Sequence, residues 1–221
     1  MKIFKSTKKA YDLTYLDGYD KDYPSLEVVR LEKLFFNNIK GEILDFGCGP
    51  GTNGLHFLKR GYKVNFCDIS DYALKKVKKK IYESNIKKNF KVVNIYKNKD
   101  FFLNKISFYD YILCFSVFNN FGTKENANKY LTIFNNILKK NGKLIIDANL
   151  INKNNYKISN KKNMYSTNSS NNYNLKMYFP KKEDFLNLVS KNGFKIVDVG
   201  RSMFKLFNSF EDEVIVCAIK K

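Results

Sequence analysis

Residues 43–51 read Ile-Leu-Asp-Phe-Gly-Cys-Gly-Pro-Gly. This is a short apolar strand with an acid near its end, followed by glycines at alternate positions, Gly47, Gly49 and Gly51. A helix-like segment, 52–60, comes next. Glycines placed this way serve a backbone that turns tightly with positive φ, or one against which a ligand lies with no room for a Cβ. A helix opening just after the turn offers unpaired N–H groups. Strand, turn and helix in this order suit an α/β sheet with a nucleoside-like ligand laid across the carboxyl end of the strand. Counted from Gly47 the spacing is G-x-G-x-G, whose third interval is one residue shorter than in the dinucleotide pattern G-x-G-x-x-G. No Lys-Ser or Lys-Thr follows the loop, which excludes a phosphate-binding P-loop. A tight strand-to-helix turn that holds no ligand is the plain alternative.

Strand and helix signals alternate beyond the loop. Strands are expected at about 42–47, 63–68, 90–95, 109–115 and 143–149, and helices at about 52–60, 71–84 and 124–140. Such alternation implies a parallel sheet covered on both faces. A helix is expected from Pro24 to about Ile39, with Val28, Leu31, Leu34 and Phe35 at helical spacing. Ahead of it, Tyr11, Tyr15, Tyr19 and Tyr23 recur at every fourth position, as in a cap over a pocket or an amphipathic turn packed on the core. The polar stretch Asn152–Asn174 is too long for an ordinary connection and reads as disorder or a lid. A helix at 181–192 and apolar runs at 194–200 and 213–219 finish the chain. The organisation expected is a single domain over 1–221: a cap and helix at 1–40, a ligand-binding core at 41–150, a variable lid or loop at 151–178, and a closing helix and strands at 179–221.

A second acid stands about twenty residues after the glycines. The apolar run 64–67 ends on Asp68, at the spacing where an acid meets ribose hydroxyls in doubly wound sites. A carboxylate can accept both hydrogen bonds of a vicinal diol. Capping of the helix from Asp71 is its alternative role, which Ser70 and Asp71 can fill without it.

Asp-x-Gly-x-Gly-x-Gly after a hydrophobic strand resembles motif I of the class I S-adenosylmethionine-dependent methyltransferases, and Asp68 resembles their motif II. The resemblance covers residues 40–150 well and the C-terminal part loosely. It implies a doubly wound, mostly parallel seven-stranded sheet with helices on both faces and an antiparallel edge near the C-terminus. It also implies a glycine loop wrapped around the methionine and ribose of S-adenosylmethionine, with S-adenosylhomocysteine as product. The implied cofactor residues are Asp45, Gly47, Cys48, Gly49 and Gly51 in the loop, then Asp68 and Ile69. Asn94 and Ile95 would stand at the adenine, with Tyr96 as the neighbouring register, and Phe115 beside Ser116 would follow the fourth strand. Residues 138–147 resemble the family's helix, glycine turn and fifth strand, with Gly142 or Asn141 closing the helix.

The sequence carries 40 Lys and Arg against 21 Asp and Glu, for a formal net charge of +19. A basic face marks nucleic-acid or membrane binding. Here the lysines run through every segment and asparagine is abundant, which favours the composition of an AT-rich genome. The densest run, Lys75–Lys80, shares a helix with Leu74, Val77 and Ile81, and so reads first as a solvated helix face. Four separated cysteines, Cys48, Cys67, Cys114 and Cys217, have no metal-binding spacing, so no metal is expected. Without a long apolar stretch or a leader-like start, a cytoplasmic protein with no membrane span is expected.

The remaining question is the methyl acceptor. Many O-methyltransferases place a histidine after the fourth strand, but this chain has Asn119 and Asn120 there. The one histidine, His56, reads as a helix residue with no chemical role. Asp147 at the end of the fifth strand is the leading candidate base, followed by Tyr11 or Tyr19 of the cap. The expected acceptor is an oxygen of a small molecule such as a sugar or sugar nucleotide; the lysine content suits an anionic one. RNA methylation is the enzymatic alternative, although the Asp/Asn-Pro-Pro-aromatic motif and a Pro-Cys nucleophile are missing. A non-catalytic cofactor-binding partner subunit is the other.

Overall fold

A computed structural model describes residues 2–36, 40–151, 157–158, 164–168, 174–206 and 209–221. Helix α1 (Lys2–Leu16) and helix α2 (Leu26–Phe35) precede an alternating run: β1 (Glu42–Phe46), α3 (Thr52–Lys59), β2 (Lys63–Asp68), α4 (Asp71–Glu83), β3 (Phe90–Asn94), β4 (Tyr109–Cys114), a 3-10 turn (Phe118–Phe121), α5 (Lys124–Ile137) and β5 (Leu138–Asn149). Then come β6 (Lys157–Ile158), β7 (Met164–Asn168), β8 (Asn174–Tyr178), α6 (Lys182–Lys191), β9 (Phe194–Leu206) and β10 (Ser209–Lys220). The main sheet has the order β3-β2-β1-β4-β5-β10-β9. Its first five strands are mutually parallel, and β10 runs antiparallel to both β5 and β9. The expected seven-stranded, mostly parallel sheet with an antiparallel edge is therefore observed.

Strand side chains alternate between the two faces. Ile43, Val64, Phe66, Tyr111 and Leu113 pack against α2, α3 and α4 through Val28, Phe35, Leu55, Leu58, Val77 and Ile81. Leu44, Phe46, Ile112, Cys114 and Ile146 pack on the opposite face against Leu131, Phe134 and Ile137 of α5 and Phe185 and Val189 of α6. Burial on both faces explains why these strands read as near-continuous apolar runs. Between β1 and β4 the strand order reverses, and the crevice at that point is where ligands gather in open α/β sheets.

Several boundaries differ from the sequence expectation; α2 ends at Phe35, and the last two strands are longer than expected, at Phe194–Leu206 and Ser209–Lys220. Helix α2 begins at Leu26 with Ser25 as its N-cap, so Pro24 lies just outside the helix. Helix α5 stops at Ile137, three residues early, and β5 starts at once. The carbonyls of Asn136 and Ile137 accept the N–H groups of Ser107 and Phe108 at 3.0 and 2.8 Å. The segment leading into β4 thus satisfies the helix end, and no glycine turn is needed there. Asn141 takes the left-handed conformation, φ 62°, within a register shift between β4 and β5, and Gly142 lies in the strand. Of the stretch Asn152–Asn174, the described parts belong to the antiparallel sheet β6-β7-β8; the rest of that expectation falls outside the described residues. Among the described residues no helix is long and apolar enough to cross a membrane.

Phe134 is fully buried and meets the Phe46 ring edge-on at a centroid distance of 5.0 Å. Phe134→Ala should cost about 3–5 kcal/mol, read as a lower denaturant midpoint with an unchanged slope. A loss below about 1 kcal/mol would contradict the packing described.

Candidate active site

The loop after β1 is anchored on β2. The N–H groups of Gly47 and Cys48 both donate to the Cys67 carbonyl, at 2.7 and 3.0 Å. Gly47 and Gly49 adopt φ of 68° and 52°. A Cβ on Gly47 would stand 2.3 Å from a Val117 methyl, and one on Gly49 would stand 2.7 Å from the Tyr15 hydroxyl. Both glycines are therefore favoured by their positive φ, and Gly47 also by the closeness of Val117. Gly51 is the N-cap of α3, φ 83°, and does not face the cavity.

Sequence reasoning missed Gly54. Its N–H donates to Asp45 Oδ2 at 2.9 Å, and a Cβ there would stand 2.4 Å from the Phe66 ring. It lets α3 sit close against the sheet, the task of the third glycine in a dinucleotide loop. Counted from Gly49, the sequence Gly-Pro-Gly-Thr-Asn-Gly does fit G-x-G-x-x-G. The short third interval found by counting from Gly47 therefore does not separate the two cofactor classes.

Asp68 joins two elements. Its Oδ2 accepts the Gly49 N–H at 2.9 Å and its Oδ1 accepts the Ser70 N–H at 2.8 Å. Helix α4 is capped separately by the Ser70 hydroxyl, which accepts the Ala73 N–H at 3.3 Å. Burial pushes the Asp68 carboxyl above its ordinary range, against the pull of its backbone donors. Asp45 is pushed up to about 7, chiefly by burial and further by the charge of Asp68.

Both acids line a cavity of about 480 Å³, within the range of small-molecule sites. Its wall includes Gly47, Cys48, Gly49, Ile69, Ile95, Phe115 and Ser116 on the sheet side. Helix α1 closes it with Thr7, Ala10, Tyr11, Thr14 and Tyr15, and Tyr19 stands at its margin. The rings of Tyr11 and Tyr15 stack at 6.1 Å, and those of Tyr15 and Tyr19 tilt at 5.8 Å. Tyr23, 82% exposed, is not part of the wall. Two latches hold the helix. On one side Asp12 accepts the Ser70 hydroxyl at 2.6 Å and pairs with Lys8, which also reaches Asp71 at 3.5 Å. On the other the Tyr11 hydroxyl donates to Asn120 Oδ1 at 3.1 Å.

Two expectations are corrected by geometry. Asn94 does not line the cavity. Its Nδ2 donates to the Ile69 carbonyl and Asp71 Oδ1 at 3.2 and 2.8 Å, and its Oδ1 accepts the N–H groups of Tyr96 and Lys97. It builds the turn after β3 and leaves Ile95 on the wall. Asp147 is also off the wall. Its two oxygens accept the Ser116 N–H at 2.7 and 2.9 Å. Burial first, then the neighbouring Glu213, push its carboxyl well above the carboxylate range. It holds Ser116 in a left-handed conformation, φ 58°, which is strained for a residue with a Cβ.

Other residues fall away from the site or enter it unannounced. His56 lies outside the cavity, with Nε2 2.8 Å from Glu32. Asn119 ties the end of β5 to that of β8, through the carbonyls of Asn149 and Tyr178. Asn120, Tyr130 and Leu175 line the cavity, and sequence reasoning did not place them there. Tyr130 sits on the helical stripe of α5 that also reads as core, so its pattern gave no separate signal.

The family model for the methyltransferase domain matches residues 44–144, the stretch from β1 to β5. No curated protein sequence matches the chain. Among solved structures, an S-adenosylmethionine-dependent methyltransferase from Methanosarcina mazei is similar at a TM-score of 0.73 and 15% identity, over 90% of this chain and 98% of the other. The Burkholderia thailandensis 1,6-didemethyltoxoflavin-N1-methyltransferase, solved with its substrate and S-adenosylhomocysteine, gives 0.71 and 15%, over 98% and 88%. The [4+2]-cyclase SpnF gives 0.71 and 11%, over 97% and 95%. At these identities the likeness is one of fold, and the cyclase shows that the fold serves more than one reaction. The family match spans the strand and glycine-loop core, so that core, residues 44–144, is similar to a methyltransferase domain.

Proposed function

We propose that this protein is an S-adenosylmethionine-dependent methyltransferase that transfers the donor's methyl group to an oxygen of a small metabolite enclosed beneath α1. The observation that supports this reading is the wall itself: two desolvated carboxylates at the ends of β1 and β2 beside a glycine loop, closed over by a tyrosine-lined helix. Buried carboxylates without a cation are costly, and the cationic sulfonium and ammonium groups of S-adenosylmethionine would offset that cost.

In this reading Gly47, Cys48 and Gly49 cradle the methionine and ribose, and Asp68 accepts the ribose hydroxyls with the lone pairs left by its two backbone donors. Asp45 sets the field beneath the loop, while Ile69, Ile95 and Phe115 form the apolar surround of the base. Bound S-adenosylmethionine supplies an already activated methyl group, so the protein's share is positioning. The groups expected to act as base are poorly placed for it. Asp147 is bound to Ser116 away from the wall. Tyr11 gives its proton to Asn120, and burial pushes its hydroxyl up to about 12. Tyr19, at the margin, remains the third. Among the described wall residues Lys21 is the one lysine, so the wall offers little to the anionic acceptor that the composition favours.

Calorimetry should show S-adenosylmethionine binding that weakens ten- to a hundredfold in Asp68→Ala, the equivalent of about 1–3 kcal/mol for buried hydrogen bonds to a charged group. Equal binding by the variant would sink the ribose role. Transfer of label to RNA alone, lost after nuclease, would replace the small-molecule acceptor by a nucleic acid.

Asp45 also makes a pH prediction. Its carboxyl titrates at about 7 in the folded chain against about 4 when unfolded, so the folded state binds the proton more tightly. That contribution to stability is complete below pH 4 and is lost as the pH rises through 7. Ligand-free wild type should therefore lose more stability between pH 4 and 7 than Asp45→Asn, by thermal denaturation. Parallel curves would contradict the buried-acid account.

A further inference from the structure

Tyr11, Thr14, Asn120 and Leu175 line the cavity, and Tyr11 of α1 there meets Asn120 of the loop after β4. The hydrogen bonds there have a fixed direction. Asn120 Nδ2 donates to the Ser116 carbonyl at 3.3 Å, which orients the amide so that its oxygen faces Tyr11. The Tyr11 hydroxyl proton is then committed to Asn120 at 3.1 Å. A phenolic hydroxyl has one proton and two lone pairs, so Tyr11 presents a lone pair to the cavity. A ligand group that meets it must bring an O–H or N–H of its own, which a carboxylate or phosphate cannot.

Two further observations narrow the ligand. The acids Asp45 and Asp68 lie on the same wall, and a second anion in that enclosure would be repelled. Tyr11 and Tyr15 on α1 and Tyr19 just beyond its end form a run of rings along the wall, at centroid spacings of 6.1 and 5.8 Å. Aromatic side chains of a wall can pack face or edge against a flat ring of a ligand.

Resting on the methyl-transfer reading above, we infer that the acceptor is an uncharged, planar aromatic compound bearing a hydroxyl, and that Tyr11, oriented by Asn120, selects it. Transfer would produce an aryl methyl ether. The acceptor oxygen's lone pair bonds the methyl carbon, the carbon–sulfur pair returns to sulfur, and the hydroxyl proton leaves to water at the cavity mouth.

A matched series tests this: 2-naphthol, 2-naphthoate, 2-naphthyl phosphate and cyclohexanol, each with labelled S-adenosylmethionine and the full-length protein. The expected order puts 2-naphthol at least tenfold above the others in kcat/KM. Tyr11→Phe should lower that value at least tenfold with the S-adenosylmethionine Kd within twofold of wild type. Asn120→Leu frees the Tyr11 proton, so it should narrow the preference of naphthol over naphthoate, a ratio that mere loss of structure would not shift. Preference for the carboxylate, the phosphate or the saturated alcohol would overturn the inference. So would a Tyr11→Phe effect confined to donor binding, or transfer to none of the series by protein that binds the donor. The methyl-donor reading itself fails on a different result, the absence of S-adenosylmethionine binding.

Discussion

The site depends on one buried carboxylate. Asp68 holds the Gly49 N–H with one oxygen and the Ser70 N–H with the other. It thereby fixes the glycine loop against the turn that opens α4. Within itself the loop has the turn bond from the Gly51 N–H to the Cys48 carbonyl at 2.9 Å, and its other anchor on β2 is the Cys67 carbonyl one residue before Asp68. The end of β2 is thus both the support of the loop and part of the cavity wall. Burial raises the proton affinity of this acid and of Asp45. The arrangement is least costly when a cation or a hydrogen-bond donor occupies the crevice.

The cap extends this dependence. Ser70, which donates its backbone N–H to Asp68 and caps α4 through its hydroxyl oxygen, also donates its hydroxyl proton to Asp12 of α1. Helix α1 is therefore latched to the same turn that holds Asp68. Its other latch, Tyr11 to Asn120, reaches the loop that Asp147 steadies through Ser116. The two sides of the crevice are joined across its top by one helix. Groups that would hold the donor and groups that would hold the acceptor consequently share short hydrogen-bonded connections, through which a change at one side can alter the other.

Much of this was legible in the sequence because strand periodicity and glycine spacing carry it. Ile43, Leu44, Val64, Phe66, Ile112 and Leu113 mark the strands; Asp45, Gly47, Gly49 and Asp68 mark the loop; Tyr11 and Tyr15 mark a helix face turned to a pocket. The errors share a cause, which is that side-chain partners far apart in sequence leave no local pattern. Asp147 stands at a strand end, as a base would, yet Ser116 and Glu213 engage it. Asn94 stands where an adenine ligand would, yet Asp71 and the backbone of Tyr96 and Lys97 use all its polar atoms. The end of α5 carried a glycine signal that β4's approach made unnecessary. Gly54 is visible in the sequence as the third glycine of a G-x-G-x-x-G run that starts at Gly49.

The most direct measurement of the central claim is a crystal structure of the protein with S-adenosylhomocysteine. The account predicts both ribose hydroxyls within hydrogen-bonding distance of Asp68, with the methionine chain along Gly47–Gly49. A ribose that faces away from Asp68, or a ligand seated outside the β1–β4 crevice, would contradict it.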